Sequence, residues 1–169
     1  SIVGSVDVYK RQTLTGQAVI KQSNKILYNY AKKITDNDSL RLEDIIKYND
    51  TDSSYISIKP INEHLNNTLC DTEGKVNNKT YEIVQDIEDH LNWEIDKWAR
   101  ANLNSEDPRF VFKRECIADV GMFLEKKRYV LHVLDDEGIP VDKFKYTGVE
   151  VVRTTIPEPV KPYIKKIIE

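Results

Sequence analysis

Apolar residues recur at helical spacing in two long stretches of the chain. From Leu14 to Ile34 they lie three, four or seven positions apart, and most of the lysines fall between them. Residues 81–103 carry one apolar stripe, while acidic residues occupy the other faces of the predicted helix. Thr80 directly precedes this stretch and is its predicted N-cap. The two patterns predict two amphipathic helices that each pack one face against a core.

Short runs of β-branched and aromatic residues predict strands in the rest of the chain. Residues 44–48 and 53–58 flank a polar turn, an arrangement typical of a β-hairpin. Prolines near residue 160 introduce a short basic helix, predicted for residues 163–169. Together these patterns predict an α+β fold, in which helices pack on an antiparallel sheet. The last third contributes three more predicted strands, at residues 110–117, 126–134 and 144–153, with a turn at 135–138.

The composition is typical of a folded domain. The 169 residues suffice for one domain, and 40% hydrophobic with 31% charged residues exclude a disordered tail. No apolar run is long enough to cross a membrane. The net charge of −3 identifies no class of partner, although the residues up to 108 are acidic and the later ones weakly basic. Cys70 and Cys116 lack metal-binding spacing, which favours a reduced, cytoplasmic protein.

Two carboxylates occupy the polar turn of the predicted hairpin. Asp50 and Asp52 are two positions apart, so strand periodicity would put both side chains on one face. Such a pair attracts a hard divalent cation, and Mg²⁺ completes its ligand shell with water and substrate phosphates. These are the requirements of two-metal phosphoryl transfer. A plain polar turn has the same composition, however, and nucleotide-sugar transferases use a carboxylate pair of this spacing.

The residues around this pair resemble a motif of family B DNA polymerases. Residues 48–53, Tyr-Asn-Asp-Thr-Asp-Ser, match the hairpin that carries palm carboxylates in that family, with Asn49 where the family has glycine. Asparagine, like glycine, tolerates a positive φ in a tight turn, so this departure from the motif is mild. Further matches to phage-type members lie at residues 16–34 (the helix from the fingers), 112–118 (a palm strand), 126–129 (the Lys-x-Tyr motif) and 146–157 (the passage into the thumb).

The resemblance implies a role for each matched residue. Asp52 would bind both catalytic Mg²⁺ ions and Asp50 would assist it, while Thr51 and Ser53 would shape the turn. The implied activity is template-directed transfer of a nucleotide from a dNTP to primer–template DNA, and a sliding clamp as a further partner is left open. The basic motif would contact the primer strand through four consecutive residues, Lys126, Lys127, Arg128 and Tyr129.

The same resemblance divides the chain into three parts. Residues 13–153 would be an incomplete palm segment, and residues 154–169 the start of a helical thumb. Residues 1–12 are expected to be a non-native leader without a role in the fold, because residues 7–12 resemble the translation of a transposon end. The upstream aspartate and the fingers lysine of the family do not occur before residue 13. The chain is therefore interpreted as part of a larger polymerase, inactive by itself.

Two other functions remain open from the residues alone. A nucleic-acid-binding module without chemistry would use residues 126–129 and the basic C-terminal stretch. An unrelated metal-dependent transferase would use Asp50 and Asp52. The polymerase interpretation requires the carboxylates and the basic motif to lie on the same side of the fold, whereas the other two interpretations do not.

Other polar residues are expected to be structural. Glu115 is a candidate partner for Lys113 or Arg128. The three histidines, His64, His90 and His132, lack the spacing of metal ligands and are expected to lie at the surface or to be satisfied within the core.

Overall fold

One antiparallel sheet of six strands forms the centre of the protein, and two long helices pack on it. The computed structural model describes residues 2–11, 16–50, 52–103 and 111–149, and for residues 2–11 it describes the backbone. The elements, in chain order, are β1 (Ile2–Arg11), α1 (Gly16–Thr35), α2 (Leu42–Ile45), β2 (Ile46–Asn49), β3 (Ser53–Ser57), α3 (Lys59–His64), α4 (Asn78–Asn102), β4 (Phe112–Glu125), β5 (Arg128–Asp136) and β6 (Ile139–Thr147). Across the sheet their order is β2-β3-β1-β4-β5-β6. The predicted α+β class and antiparallel pairing are confirmed.

The two predicted long helices are α1 and α4. Both bury the apolar stripe that the sequence showed, and α4 places Leu91 and Ile95 at 0% exposure. The start of α4 differs from the prediction, because Asn77 is the N-cap and its side-chain oxygen accepts a hydrogen bond from the Thr80 amide at 2.7 Å. Thr80 lies inside the first turn and is fully buried. A capping asparagine therefore starts the helix three residues earlier than the predicted N-cap.

The main core lies between these helices and one face of the sheet. Helix residues such as Val19 and Ile87 meet strand residues such as Ile56 and Ile117 there, all nearly or fully buried. Asn92 of α4 fixes the start of β4, because its amide group donates to the Phe112 carbonyl and accepts from the Phe112 amide. This core determines which face of β3 and β4 points away from the helices.

Several predicted strands have different boundaries in the structure: the one predicted at 110–117 continues to Glu125, and the one predicted at 126–134 begins only at Arg128. Residues 42–45 form the single helical turn α2, because the Asp44 carboxylate accepts a hydrogen bond from the Arg41 amide and closes that turn. The last strand, predicted at residues 144–153, is β6 and begins at Ile139. Glu137 and Gly138 have φ values of 52° and 89°, so they form a two-residue hairpin loop that starts β6 at once.

Residues 2–11 contradict the expectation that the first twelve residues take no part in the fold. Strand β1 pairs with β3 on one side and with β4 on the other, so it joins the two halves of the sheet. Valines at positions 6 and 8 alternate with polar residues, which is a strand pattern of period two. The predicted thumb segment, residues 154–169, lies outside the described residues, as do most residues of the passage into it.

Irregular pairing curves the sheet strongly. The register shifts between Val8 and Tyr9 against β4, between Ile46 and Tyr48 against β3, and at several places between β4 and β5. Bulges of this kind increase the local twist and bend the strands. The second apolar cluster, with Tyr55, Leu131 and Val133, lies on the face away from the helices. Among the described helices, none combines the length and apolar character needed to traverse a lipid bilayer.

Candidate functional site

The carboxylates lie at the tip of the β2–β3 hairpin. The Asp50 amide donates to the Ser53 carbonyl at 3.0 Å where the two strands end. Asp50 and Asp52 are both half-buried, and the Ser53 hydroxyl donates to the Asp52 carboxylate at 3.3 Å. Ser53 thus contacts one of the two carboxylates, while Thr51 lies outside the described residues. We call the turn that carries Asp50 and Asp52 the carboxylate turn.

Helix α1 contacts the β3 strand of this hairpin. Every residue of β3 is buried, and the Ser54 hydroxyl lies 3.2 Å from the side-chain oxygen of Asn24 in α1. A strand that is buried on both faces and hydrogen-bonded to a helix keeps the residues at its end in a defined position. The hairpin therefore presents the carboxylate turn from a rigid base.

Asn49 does not use the positive φ that asparagine tolerates. It ends β2 and pairs with Ser54 in ordinary extended conformation, since the described non-glycine residues with positive φ lie elsewhere. Its side-chain oxygen is buried and has no hydrogen-bond partner among the described residues. No left-handed residue is needed at this position, because β2 extends through Asn49.

The basic motif forms a second tight turn, between β4 and β5. Glu125 pairs with Arg128 across the strands, which leaves Lys126 and Lys127 as the loop. Both lysines and Arg128 are exposed, and the Arg128 guanidinium lies 3.2 Å from the Glu125 carboxylate. Lys127 has a φ of 62°, in the left-handed region. We call residues 126–127 the lysine turn.

A hydrogen bond links the lysine turn to the strand that leads to the carboxylates. The Lys127 amide donates a hydrogen bond of 2.6 Å to the hydroxyl of Tyr48, which precedes Asp50 by two residues. Behind this contact, four rings pack together with every pair of centroids 5.1–5.9 Å apart. This aromatic cluster takes one ring from each of β2, β3, β4 and β5: Tyr48, Tyr55, Phe123 and Tyr129.

Only the curvature of the sheet makes the aromatic cluster possible. Strands β3 and β5 are separated by β1 and β4, so they would be about 14 Å apart in a flat sheet. The Tyr55 and Tyr129 hydroxyls are nevertheless 2.6 Å apart. The fold thus brings together aromatic residues from β2 and β3, which lead to the carboxylates, and from β4 and β5, which flank the lysine turn.

Tyr129 differs from the other predicted DNA contacts. It is only 5% exposed, and its hydroxyl group is hydrogen-bonded inside the aromatic cluster. Burial, reinforced by the hydrogen bond to Tyr129, raises the pKa of Tyr55 far above its usual range. The Tyr55 phenol therefore stays protonated at neutral pH. Within the motif, Lys126, Lys127 and Arg128 are the side chains that face solvent.

Glu115 and Arg114 each form an ion pair that serves the fold. Glu115 pairs with Lys145 of β6, rather than with Lys113 or Arg128 as we expected. Arg114 lies 3.4 Å from Asp135, a carboxylate with 0% exposure that also accepts hydrogen bonds from the Tyr81 hydroxyl and the Gly138 amide. These interactions join α4, β4 and β5, and they are structural.

His132 lies between two carboxylates on the neighbouring strands. Its Nδ1 is 2.6 Å from Asp119 on β4, and its Nε2 is 2.7 Å from Asp142 on β6. Both ring nitrogens can donate only when the imidazole is protonated. Burial alone would lower the pKa of His132, but the hydrogen bonds and negative charges of Asp142 and Asp119 outweigh it, so the pKa is raised above 6.5.

The contribution of His132 to the free energy of unfolding should therefore decrease as the pH rises through the pKa of this residue. Because the pKa is raised in the folded state, the stabilisation is complete below pH 6.5 and is lost as the pH rises through the folded-state value. One proton limits the slope to about 1.4 kcal/mol per pH unit. Urea unfolding between about pH 5.5 and 8.5 measures it. His132→Gln should remove this contribution and leave the opposite one from His90, whose pKa burial lowers, while exposed His64→Gln should retain the fall. An equal fall with pH in His132→Gln would contradict the assignment.

Three residues of the aromatic cluster that packs behind the site escaped the sequence-based prediction, although the sequence contained part of the signal. Tyr48, Tyr55 and Phe123 have aromatic side chains near the two motifs, but nothing local shows that their rings meet. The pairing of His132 with Asp119 and Asp142 likewise depends on strand register, because the partners are 13 and 10 residues away.

The donors available for a metal ion are limited. In the part of the chain that the structure describes, there is no group of three or more histidine, cysteine, aspartate or glutamate side chains arranged to hold one. The carboxylate turn contributes two hard oxygen ligands, which is the number that Mg²⁺ commonly takes from a protein when substrate phosphates and water supply the rest. Asp50 and Asp52 thus fit a partial Mg²⁺ site.

Comparison with known proteins does not assign the chain to a family. No protein-family model matches the sequence, and a search of curated proteins finds no match.

Proposed function

We propose that the chain is the part of a DNA-directed DNA polymerase that carries palm carboxylates and contacts the primer strand. One observation supports the proposal: the Tyr48 hydroxyl and the Lys127 amide are 2.6 Å apart, so the strand that leads to the carboxylates is hydrogen-bonded to the lysine turn. Nucleotidyl transfer needs both turns together, because the metal ions act at the 3′ end of the strand that the cations hold.

The carboxylates would hold the metal ions of the complete enzyme. Asp52 and Asp50 would bind two Mg²⁺ ions, with further ligands from water, the dNTP phosphates and the additional aspartate that the family resemblance implies. The bound ions stabilise the charge that develops on the attacking and leaving oxygens. The residues of this chain hold their share of the ligands in place through the buried β3 strand and the Ser53 hydroxyl.

The lysine turn would contact the DNA backbone. Lys126, Lys127 and Arg128 are exposed, and ammonium and guanidinium groups attract phosphates without regard to base sequence. Such contacts suit a polymerase, which must hold any primer. An intracellular location belongs to the same proposal and agrees with the cysteines, since neither Cys70 nor Cys116 is in a disulfide.

Binding of Mn²⁺, used in place of Mg²⁺, tests the carboxylate turn. We expect Mn²⁺ to broaden the amide NMR signals of Asp50 and Ser53 selectively, because these amides lie next to the carboxylates. Asp52→Asn should weaken the binding by about tenfold or more, since it removes a charged ligand. Asp38→Asn, at an exposed aspartate in a loop, is the matched control and should not change it.

Three outcomes separate the proposal from its alternatives. DNA binding without selective Mn²⁺ broadening would favour a nucleic-acid-binding module without chemistry. Selective Mn²⁺ binding without DNA binding would favour an unrelated metal-dependent transferase. In a primer-extension assay the chain alone should incorporate no dNTP, and incorporation that Asp52→Asn abolishes would contradict the expected inactivity.

A further inference from the structure

The lysine turn adopts a conformation that its own sequence disfavours. Lys127 has a φ of 62°, which is unfavourable for a residue with a side chain and is usually left to glycine. The β5–β6 hairpin provides an internal comparison, because its two-residue loop has Gly138 at the corresponding second position, with a φ of 89°. The cost of this conformation at Lys127 can be offset by interactions from outside the hairpin.

Two parts of the fold hold the backbone of Lys127 from opposite sides. The Tyr48 hydroxyl accepts its amide hydrogen at 2.6 Å. On the other side, the chain after β6 approaches so closely that a Cβ atom at Gly148 would lie 2.0 Å from the Lys127 carbonyl oxygen. Both the amide and the carbonyl of this residue are therefore constrained by segments outside the hairpin.

Tyr48 connects the strand that leads to the carboxylates with the lysine turn. It lies on β2, two residues before Asp50, so its backbone moves with the carboxylate turn. Its ring is packed by Tyr55, Phe123 and Tyr129, with centroids 5.3, 5.3 and 5.8 Å away, which fixes the position of the hydroxyl. Tyr48 thus links the strand that leads to the carboxylates with the backbone of the lysine turn.

We infer that Tyr48 is a positioning residue, which holds the lysine turn beside the carboxylate turn so that one nucleic-acid strand reaches both. This inference rests on the proposed function. The strand is recognised by its phosphates, because the groups that the turn presents are the ammonium groups of Lys126 and Lys127. Without the Tyr48 hydroxyl, the lysine turn would relax and the Lys127 ammonium would move away from its place on the strand.

The test is the salt dependence of DNA binding, measured by fluorescence anisotropy with a labelled primer–template duplex. Removing one cation that binds a phosphate lowers the slope of log K against log salt concentration by about one. Lys127→Ala should lower the slope by that amount, and Tyr48→Phe, which removes only the hydroxyl, should lower it similarly. The double variant should show no further change, because both substitutions abolish the same interaction with the phosphate.

Tyr55→Phe is the matched control. It removes a hydroxyl from the same aromatic cluster, but that hydroxyl bonds to Tyr129 and not to the lysine turn. Tyr55→Phe should leave the slope unchanged. If general loosening of the aromatic packing caused the effect of Tyr48→Phe, Tyr55→Phe would lower the slope as well. Gly148→Ala tests the turn independently of Tyr48, since it should displace the Lys127 carbonyl and lower the slope as well.

The outcomes distinguish this inference from the proposed function. If the unmodified chain binds no DNA, the DNA-binding part of the proposed function is wrong and the inference fails with it. If the chain binds DNA and Tyr48→Phe retains the full slope, only the inference is overturned. Additive effects of Tyr48→Phe and Lys127→Ala would also overturn it, because the two residues would then act separately.

Discussion

Replacing Asp135 with alanine should destabilise the protein by about 3–5 kcal/mol. The carboxylate has 0% exposure and accepts hydrogen bonds from the Tyr81 hydroxyl at 2.8 Å and the Gly138 amide at 3.0 Å, while Arg114 lies 3.4 Å away. Its removal would leave the Arg114 guanidinium, only 15% exposed, without its counter-charge. A destabilisation of this size is a large fraction of the roughly 5–15 kcal/mol that typically stabilises a domain.

Urea unfolding measures this destabilisation, and the ionisation of Tyr81 provides an independent check. Burial, together with the hydrogen bond to Asp135, raises the pKa of Tyr81 to about 12. In Asp135→Ala the pKa of Tyr81 should fall towards its usual value of 10.0, which ultraviolet titration detects. The matched control is Asp136→Ala at the next position, where the carboxylate is 39% exposed and pairs with Lys143. That variant should be destabilised by less than about 1 kcal/mol. Equal stabilities for the two variants would contradict the role of the buried carboxylate.

Replacing Phe112 with alanine should cost a similar amount, about 3–5 kcal/mol, for a different reason. Phe112 has 0% exposure and lies in the main core between α4 and the sheet. Because Asn92 fixes the Phe112 backbone from both its amide and its carbonyl, the start of β4 cannot move inward to fill the cavity. The cost of the cavity should therefore add in full to the cost of removing the buried ring.

Phe144→Ala is the control for this substitution. The Phe144 ring is 39% exposed on the edge strand β6, where its ring neighbours are His132 and Tyr146. We expect a destabilisation of less than about 1 kcal/mol, because solvent already reaches the site. Thermal unfolding of both variants provides the comparison. A destabilisation at Phe112 no larger than that at Phe144 would show that the start of β4 does relax.

Local patterns predicted most of the elements correctly. The two amphipathic helices, the β2–β3 hairpin and the antiparallel character of the sheet all depend on residues a few positions apart, and all are confirmed. The errors are local as well. Asn77 is the N-cap where Thr80 was expected, and the Asp44 carboxylate closes a helical turn where a strand was predicted.

The first twelve residues show how a resemblance can outweigh a physical pattern. The alternation around positions 6 and 8 indicates a strand, but the likeness of residues 7–12 to a transposon end led us to exclude them from the fold. The backbone of residues 2–11 is instead paired on both sides, between β3 and β4. Without this strand the carboxylate turn and the lysine turn would belong to separate parts of the sheet.

By itself, the sequence determined the chemistry of the candidate site: a carboxylate pair in a hairpin turn, three consecutive cations at the start of a predicted strand, and an α+β fold to carry them. Only the tertiary structure decided that Lys126 and Lys127 form a turn bonded to Tyr48, that Tyr129 is internal, and that His132 lies between two carboxylates. The reason is physical. Residue types and their spacing set turns and periodicity through near neighbours, whereas the Tyr48–Lys127 hydrogen bond spans 79 residues and depends on strand order, bulges and the curvature of the sheet.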